Sequence, residues 1–474
     1  MASLRETLSQ TTGITERATA GFGVWSFCFF GYAFARAWME IIMFRMTVLF
    51  PHDAWLGEDL FTVIMVCAFI PFALFARKIK PLCFKSYARS ACTATMLISG
   101  ATFLAAMLIP EATLVLGVIA IITGGIGASL SILLWAELHC CFEPMRVVLY
   151  IAGAFLVGTA LAWLLLEADG PRLMMVLVLL PLLSQATLSM AFRQVPQADL
   201  PKKTWGKLHF PWKLLVVLGI YQLVAGAKSP FDVPSTELSL WGTIAASVIV
   251  LVIAFTMRNK FDVTLLYRTP FVLVICGLIM TFLSISTVSV VAGFFISVGY
   301  ALMFLVLTIL LCDIAHTYGV SVLVLCGIQE VTLIALPLGH LAARTFIGEQ
   351  APVPIDPAIV TAVLSVLVVV ATVALLTGNG QLRSWGVSFF GVDGIAEEEA
   401  RAKRLARLAE VSETFGLSPR EVEVLELILL DKNTAVIEQE LCIANGTLKS
   451  HIRRIYQKLD VHSREELREL LSAE

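Results

Sequence analysis

The sequence predicts an all-α protein, a polytopic membrane bundle of about twelve spans in two sets of six, followed by a small helical domain at the C-terminal end. Three observations lead there. Of 474 residues, 58% are hydrophobic and 15% charged, and the mean hydropathy is +0.85; an average soluble domain is roughly 45–50% apolar and about 25% charged. The apolar residues gather into runs near the length that crosses a bilayer, where every backbone polar group must be bonded within its own segment. The formal net charge of -2 hides a segregation, because the chain up to Gly378 is nearly uncharged outside short loops and becomes dense in both signs beyond it.

Residues 1–20 are polar and lack the apolar core of a cleavable signal, so the first apolar run is expected to remain as a span, with the segment before it cytoplasmic. Spans are predicted at 21–44, 60–75, 90–109, 112–136, 147–166 and 173–192. The polar stretch RQVPQADLPKKTWGKLHFPWK separates these from a second set at 214–227, 238–257, 271–286, 288–311, 320–343 and 358–376. Residues 21–378 thus form the membrane domain.

Orientation follows from loop charge. Arg77, Lys78, Lys80, Lys85 and Arg89 crowd the second loop, Arg193, Lys202, Lys203, Lys207 and Lys213 the central one, and Arg258, Lys260 and Arg268 the eighth. The alternate loops, such as PHDAWLGED and LEADG, are acidic or bare. A bacterial plasma-membrane protein with both termini in the cytoplasm is expected, and nucleic acid is available on that side. Six spans, a basic loop and six more resemble the major facilitator superfamily, whose halves enclose a central cavity. The loop FARKIKPLCFKS lacks the Gly- and Asp-containing signature of transporters in that superfamily, which argues against active transport.

Cys28, Cys67, Cys92, Cys276, Cys312 and Cys326 lie in or beside apolar runs and read as small hydrophobes. The adjacent Cys140 and Cys141 lack spaced metal-ligand partners, so neither metal nor cofactor is expected. No Ser/His/Asp ordering and no phosphate-binding glycine loop is present, so no enzyme activity is expected. Ionisable groups inside spans are costly and mark candidate sites. Tyr32, Arg36 and Glu40 share one face of the first span, and the eleventh carries Gln329 and Glu330 near its middle with His340 further out. Two readings stand: a small polar or anionic ligand contacts this set in an outward-open cavity, or an internal pair of Arg36 with Glu40 or Glu330 fixes helix packing.

Residues 379–416 form a linker in which Glu397 with Arg401 and Glu399 with Lys403 stand at helical i, i+4 spacing, so a connecting helix is expected, either an exposed spacer or a weak dimer seam. In GLSPREVEVLELILL, Ser418 can cap a helix, Pro419 suits its first turn and Glu421 closes a capping box. Val422, Leu425, Ile428 and Leu429 recur as its inner face. A second helix is predicted over 434–440, with Ile437 and Leu441 inward. The third begins near Thr447, packing Leu448, Ile452, Ile455 and Leu459. No acid occurs from Leu441 to Leu459, although acids outnumber bases beyond Ser418. Positive charge is therefore concentrated on one helix, where phosphates would be met.

Residues 417–474 resemble the LuxR/GerE-type helix-turn-helix of bacterial regulators through LSPREVEVL, then Ile437, Leu441 and Ile443, then GTLKSHIRRIYQKLDV and Ser463-Arg464. The resemblance implies a four-helix domain that binds double-stranded DNA and pairs as a homodimer through its last helix, 463–471, on a two-fold operator. It places Lys449, Ser450 and Arg453 at base edges and Thr447, Arg454 and Lys458 on phosphates. Asp431, Glu438 and Ala444 depart from the family pattern and predict a less stable domain with the fold intact. The expected function is a membrane-bound one-component transcriptional regulator that couples small-molecule sensing to DNA binding, with a transporter bearing a regulatory cytoplasmic tail as the alternative.

Overall fold

The computed structural model describes residues 27–50, 56–76, 78–79, 81–195, 200, 212–228, 236–256, 263–281, 286–318, 321–346, 357–376, 415–429, 445–459 and 461. The expectations for residues 1–20, the central loop, the connecting helix and the second and last helices of the terminal domain lie outside these. The chain divides into two compact units, Met1–Phe389 and Phe390–Glu474.

The first unit has a helix at each of the twelve predicted places. They are α1 (Tyr32–Arg45), α2 (Leu56–Phe75), α3 (Ser86–Leu108), α4 (Thr113–His139), α5 (Pro144–Leu165), α6 (Gly170–Gln194), α7 (Trp212–Lys228), α8 (Thr236–Thr256), α9 (Val263–Thr281), α10 (Ser286–Tyr318), the pair α11 (Val322–Val331) and α12 (Ala335–Phe346), and α13 (Pro357–Leu376). Among the described residues, nine helical stretches are long and apolar enough to cross a membrane, and α7 and α9 contain the shorter apolar runs Leu215–Ala227 and Thr269–Met280. The whole of α13 is uncharged.

The packing repeats. In the first half α1 packs on α5 and α6, α2 on α4, and α3 on α4 and α6. In the second half α7 packs on α12 and α13, α8 on α10, and α9 on α10 and α13. These are the same pairs shifted by six spans, with α11–α12 counted as one. The halves meet through α5 against α8 and α2 against α11, which exchange under that same shift. Two halves with the same packing order are thus present in the contacts themselves.

Close approach is set by small residues, because lipid gives apolar faces no reason to prefer one another over acyl chains. In α4 the run Gly124, Gly125, Gly127 faces both neighbours. A Cβ would stand 2.6 Å from Ser99 Oγ at the first, 2.8 Å from Ile64 Cγ2 at the second and 2.7 Å from Met96 Cγ at the third. That closeness lets Ser99 Oγ donate to the Ala120 carbonyl at 2.7 Å and Ser129 Oγ to that of Met65 at 2.9 Å. At the end of α5, the Arg45 guanidinium donates to the carbonyls of Leu166 and, at 2.6 Å, Ala168. Carbonyls that have no intrahelical partner at a helix C-terminus are satisfied there.

Three elements differ from the hydropathy reading. α10 runs on to Tyr318 rather than stopping near Leu311, since Asp313 and His316 end the apolar run without ending the helix. α9 begins at Val263, upstream of the predicted 271, because Arg268 and Pro270 read as loop yet continue its first turns. The eleventh span is broken by a tight 3-10 turn at Thr332–Ile334. Pro337 lacks an amide hydrogen and its ring crowds the Leu333 carbonyl, which accounts for the break at that position.

In the second unit, α14 (Pro419–Leu429) and α15 (Asn445–Leu459) pack together. Val424 and Leu425 are buried at their contact with Leu448, Ile455 and Leu459. Val422, expected inward, is half-buried and Val424 takes its place; Ile452 is also half-buried.

Candidate functional site

The capping box expected at Ser418 is present and holds the start of α14. The Ser418 amide donates to Glu421 Oε2 at 2.8 Å, and the Glu421 amide lies 3.4 Å from Ser418 Oγ. Gly416 sits just before it with φ +58, a left-handed turn that glycine enters without strain. Lys458, near the end of α15, donates to Glu421 Oε2 at 2.8 Å and to the Gly416 carbonyl at 2.7 Å. Lys458, expected on phosphate, is thus engaged internally in the domain without DNA. Its ammonium fastens α15 to the first turn of α14.

Burial alone would raise the Glu421 carboxyl, but the hydrogen bond from Lys458, then those with Ser418, outweigh it and hold the group at about 2, below its ordinary 4.5. A depressed carboxylate adds stability above its unfolded value and loses it as the pH falls through the folded one. In a fragment of residues 390–474, stability should fall as the pH drops from 4.5 towards 2. Glu421→Gln should remove about 1–3 kcal/mol at neutral pH and flatten that slope, as read by urea unfolding.

On α15 the residues advance by about 100° each. Leu448, Ile455 and Leu459 face the core, while Thr447, Lys449, Ser450, Arg453, Arg454 and Gln457 are exposed. Lys449, Arg453 and Gln457 stand four residues apart and so form one row along the outer face. Ser450 and Arg454 form the adjacent row. Lys458 and Thr447 fall on the flank towards α14. The helix carries no acid. Its outer face offers cationic, forked and hydroxyl donors in two parallel rows, a surface able to meet phosphates and the acceptor edges of bases.

Residues 416–471 match the family model "Bacterial regulatory proteins, luxR family". This segment is a LuxR-type helix-turn-helix domain. It is 49% identical over 53 residues to the transcriptional regulatory protein DesR of Bacillus subtilis, covering 11% of this chain and 27% of DesR. It is 46% identical over 48 residues to the spore germination protein GerE of the same species, covering 10% of this chain and 65% of GerE. Against the HTH-type transcriptional regulator MalT of Vibrio campbellii it is 44% identical over 57 residues, covering 12% and 6%. The chain thus spans about a quarter of DesR and a small fraction of MalT, and the likeness resides in the LuxR-type domain.

Solved membrane proteins also align with this chain. A bacterial homologue of the iron transporter ferroportin, in an outward-facing state, aligns at 14% identity and TM-score 0.49 over 74% of this chain and 97% of its own. The major facilitator superfamily transporter FucP, in its outward conformation, aligns at 12% identity and TM-score 0.45 over 73% and 96%. The two-half architecture stands on its own packing repeat, described above.

Within the membrane unit, Tyr32, Arg36 and Glu40 stand on one face of α1. Arg36 Nη2 pairs with Glu40 Oε1 at 2.7 Å, and Thr159 Oγ1 of α5 donates to the same oxygen at 3.0 Å. The guanidinium lies 4.3 Å from the centre of the Phe155 ring. Gly158 makes room for it, since a Cβ there would stand 2.9 Å from Arg36 Cβ. Glu330 of α11 lies within electrostatic reach of Arg36 and Tyr32, and Tyr300 of α10 within reach of Arg36 and Glu330. Gln222 of α7 donates to the Tyr300 hydroxyl, and Gln329 to Thr308 Oγ1 at 2.8 Å.

His340 is not brought to this set. Its Nδ1 lies 2.6 Å from Asp59 Oδ1, and Arg344 Nη2 lies 3.0 Å from Asp59 Oδ2, so the three join α12 to the first turn of α2. Among the described residues no group of His, Cys, Asp or Glu is arranged to hold a metal. Sequence reasoning missed Gln222 and Tyr300. A lone amide in LGIYQLVAG was a usable signal, whereas a tyrosine in a span is indistinguishable from packing until its partner is known.

Proposed function

We propose that the chain is a membrane-anchored, one-component transcriptional regulator. The observation that carries this reading is the exposed, acid-free basic face of α15 in a LuxR-type domain that shares its chain with at least nine helices apolar enough to span a bilayer. Lys449, Ser450 and Arg453 are assigned to base edges and Thr447 and Arg454 to phosphates, with double-stranded DNA as the partner and a homodimer on a two-fold operator as the bound form. Basic loops on one side support a bacterial plasma-membrane location with both termini in the cytoplasm.

The membrane unit supplies the input. Its two like halves can repack against each other about α2–α11 and α5–α8, and a small molecule biases that equilibrium by as much as its affinity differs between the two packings. Tyr32, Arg36, Glu40 and Glu330 are the residues assigned to that molecule. No catalytic step is required, and regulation of transcription accounts for the terminal domain where transport does not.

The test compares transcripts from cells making the whole chain with those from cells making residues 1–389. A change of tenfold or so in a small set of genes, absent from the truncated form, is expected. Identical transcripts, together with substrate uptake that survives the truncation, would instead favour a transporter.

A further inference from the structure

The interior around α1 and α11 holds two carboxylates, Glu40 and Glu330, and one guanidinium, Arg36. Arg36, the cation among its described side chains, already pairs with Glu40, so no positive charge is left over for an anion. Glu330 is buried, 4% exposed, and has no hydrogen bond or ion pair among the described residues. Two buried acceptors, Glu40 Oε2 and Gln222 Oε1, are without partners, as are the donors Arg36 Nε and Trp38 Nε1 of α1 and the ring nitrogen His139 Nε2 beside Tyr32. Buried polar atoms in folded proteins are nearly always satisfied, and an unpaired carboxylate inside a membrane is among the costliest exceptions.

The surroundings are aromatic. Tyr32 packs at 6.2 Å from Phe155, and Phe155 at 6.3 Å from Phe304, ring centre to ring centre. Tyr300 joins the set through Gln222. The faces of such rings attract a cation. Glu330 stands next to Val331 and the turn at Thr332–Ile334, where the eleventh span is broken. Two carboxylates to one guanidinium and aromatic walls select the same chemistry.

We infer that the membrane unit binds a small organic ammonium, its N–H groups satisfying Glu330 and the free oxygens of Glu40 and Gln222, and its apolar body lying among Tyr32, Phe155 and Tyr300. The inference rests on the reading that this interior senses a small molecule, and it reverses the anionic ligand that Arg36 suggests in the sequence alone. Glu330 is the discriminating residue, because it is the carboxylate that the protein itself leaves unpaired.

The test uses the full chain in lipid nanodiscs and three probes of nearly one shape, benzylamine, benzyl alcohol and benzoate, read by thermal midpoint and tryptophan emission. Benzylamine should raise the midpoint in a saturable manner while the other two leave it unchanged. Glu330→Gln should weaken benzylamine at least tenfold with its ligand-free midpoint retained. Benzoate binding in preference, equal effects of benzylamine and benzyl alcohol, or full affinity in Glu330→Gln would each overturn the inference. The three-probe comparison on the unaltered chain stands even if the variant fails to fold. Footprinting of DNA by the same preparation reports separately on the regulator: an intact footprint without amine selectivity sinks the ligand class alone, and amine selectivity without any footprint sinks the regulator while supporting the ligand.

Discussion

Replacing Lys449 and Arg453 together by Ala should abolish sequence preference in DNA binding while leaving the LuxR-type domain folded. Both side chains are exposed in one row of α15, away from the buried Leu448, Ile455 and Leu459, so truncating them creates no cavity. Each contact to a base edge contributes about 1–3 kcal/mol of discrimination, and the pair therefore about 2–6 if they act independently. Footprints of operator and random duplexes would converge. Arg454→Ala, assigned to phosphate, should weaken both duplexes alike and reduce the salt dependence. Lys458→Ala should behave differently from both, lowering the thermal midpoint of the domain, because its ammonium is committed to Glu421 and Gly416.

Asp59→Ala should have the largest effect in the membrane unit. The Asp59 carboxylate is shared by His340 at 2.6 Å and Arg344 at 3.0 Å, and it joins α2 of the first half to α12 of the second. Removing one partner of a largely buried ionic cluster costs about 3 kcal/mol. The purified chain should melt at a lower temperature, and the loss should be confined to the membrane unit, with the LuxR-type domain unfolding as before. Asp59→Asn keeps one acceptor oxygen and the shape, and should lose about half as much.

What the sequence made legible divides along physical lines. The spans were readable because bilayer thickness imposes a length and backbone satisfaction imposes a helix, so apolar runs alone located twelve helical positions, at which nine stretches among the described residues are long and apolar enough to cross a membrane. Their ends were less so. α10 passes through Asp313 and His316, and hydropathy measures where the solvent changes, which is not where a helix stops. The break in the eleventh span was written in Pro337 but disguised by continuous apolar sequence on either side.

The terminal domain was legible in more detail, since capping, charge and periodicity are local. The reciprocal bonds of Ser418 and Glu421 follow directly from SPRE. The role of Lys458 did not, because its partner lies 37 positions away and only folding brings them together. The same holds in the membrane. Arg36 and Glu40 meet across one helical turn and could be paired from spacing, whereas His340 finds Asp59 across 281 positions and so leaves the set to which sequence assigned it. Spacing reveals what a helix holds in common with itself and is silent on what another helix presents to it.

A regulator of this kind must be embedded in the membrane and bound to particular DNA at the same time. Formaldehyde crosslinking in intact cells, followed by isolation of the full-length chain from the membrane fraction and sequencing of the attached DNA, measures both at once. A few discrete sites are predicted, lost in the Lys449→Ala, Arg453→Ala chain although its amount in the membrane is unchanged. Membrane-bound chain that carries no DNA, or DNA from all parts of the chromosome alike with and without those two side chains, would contradict it.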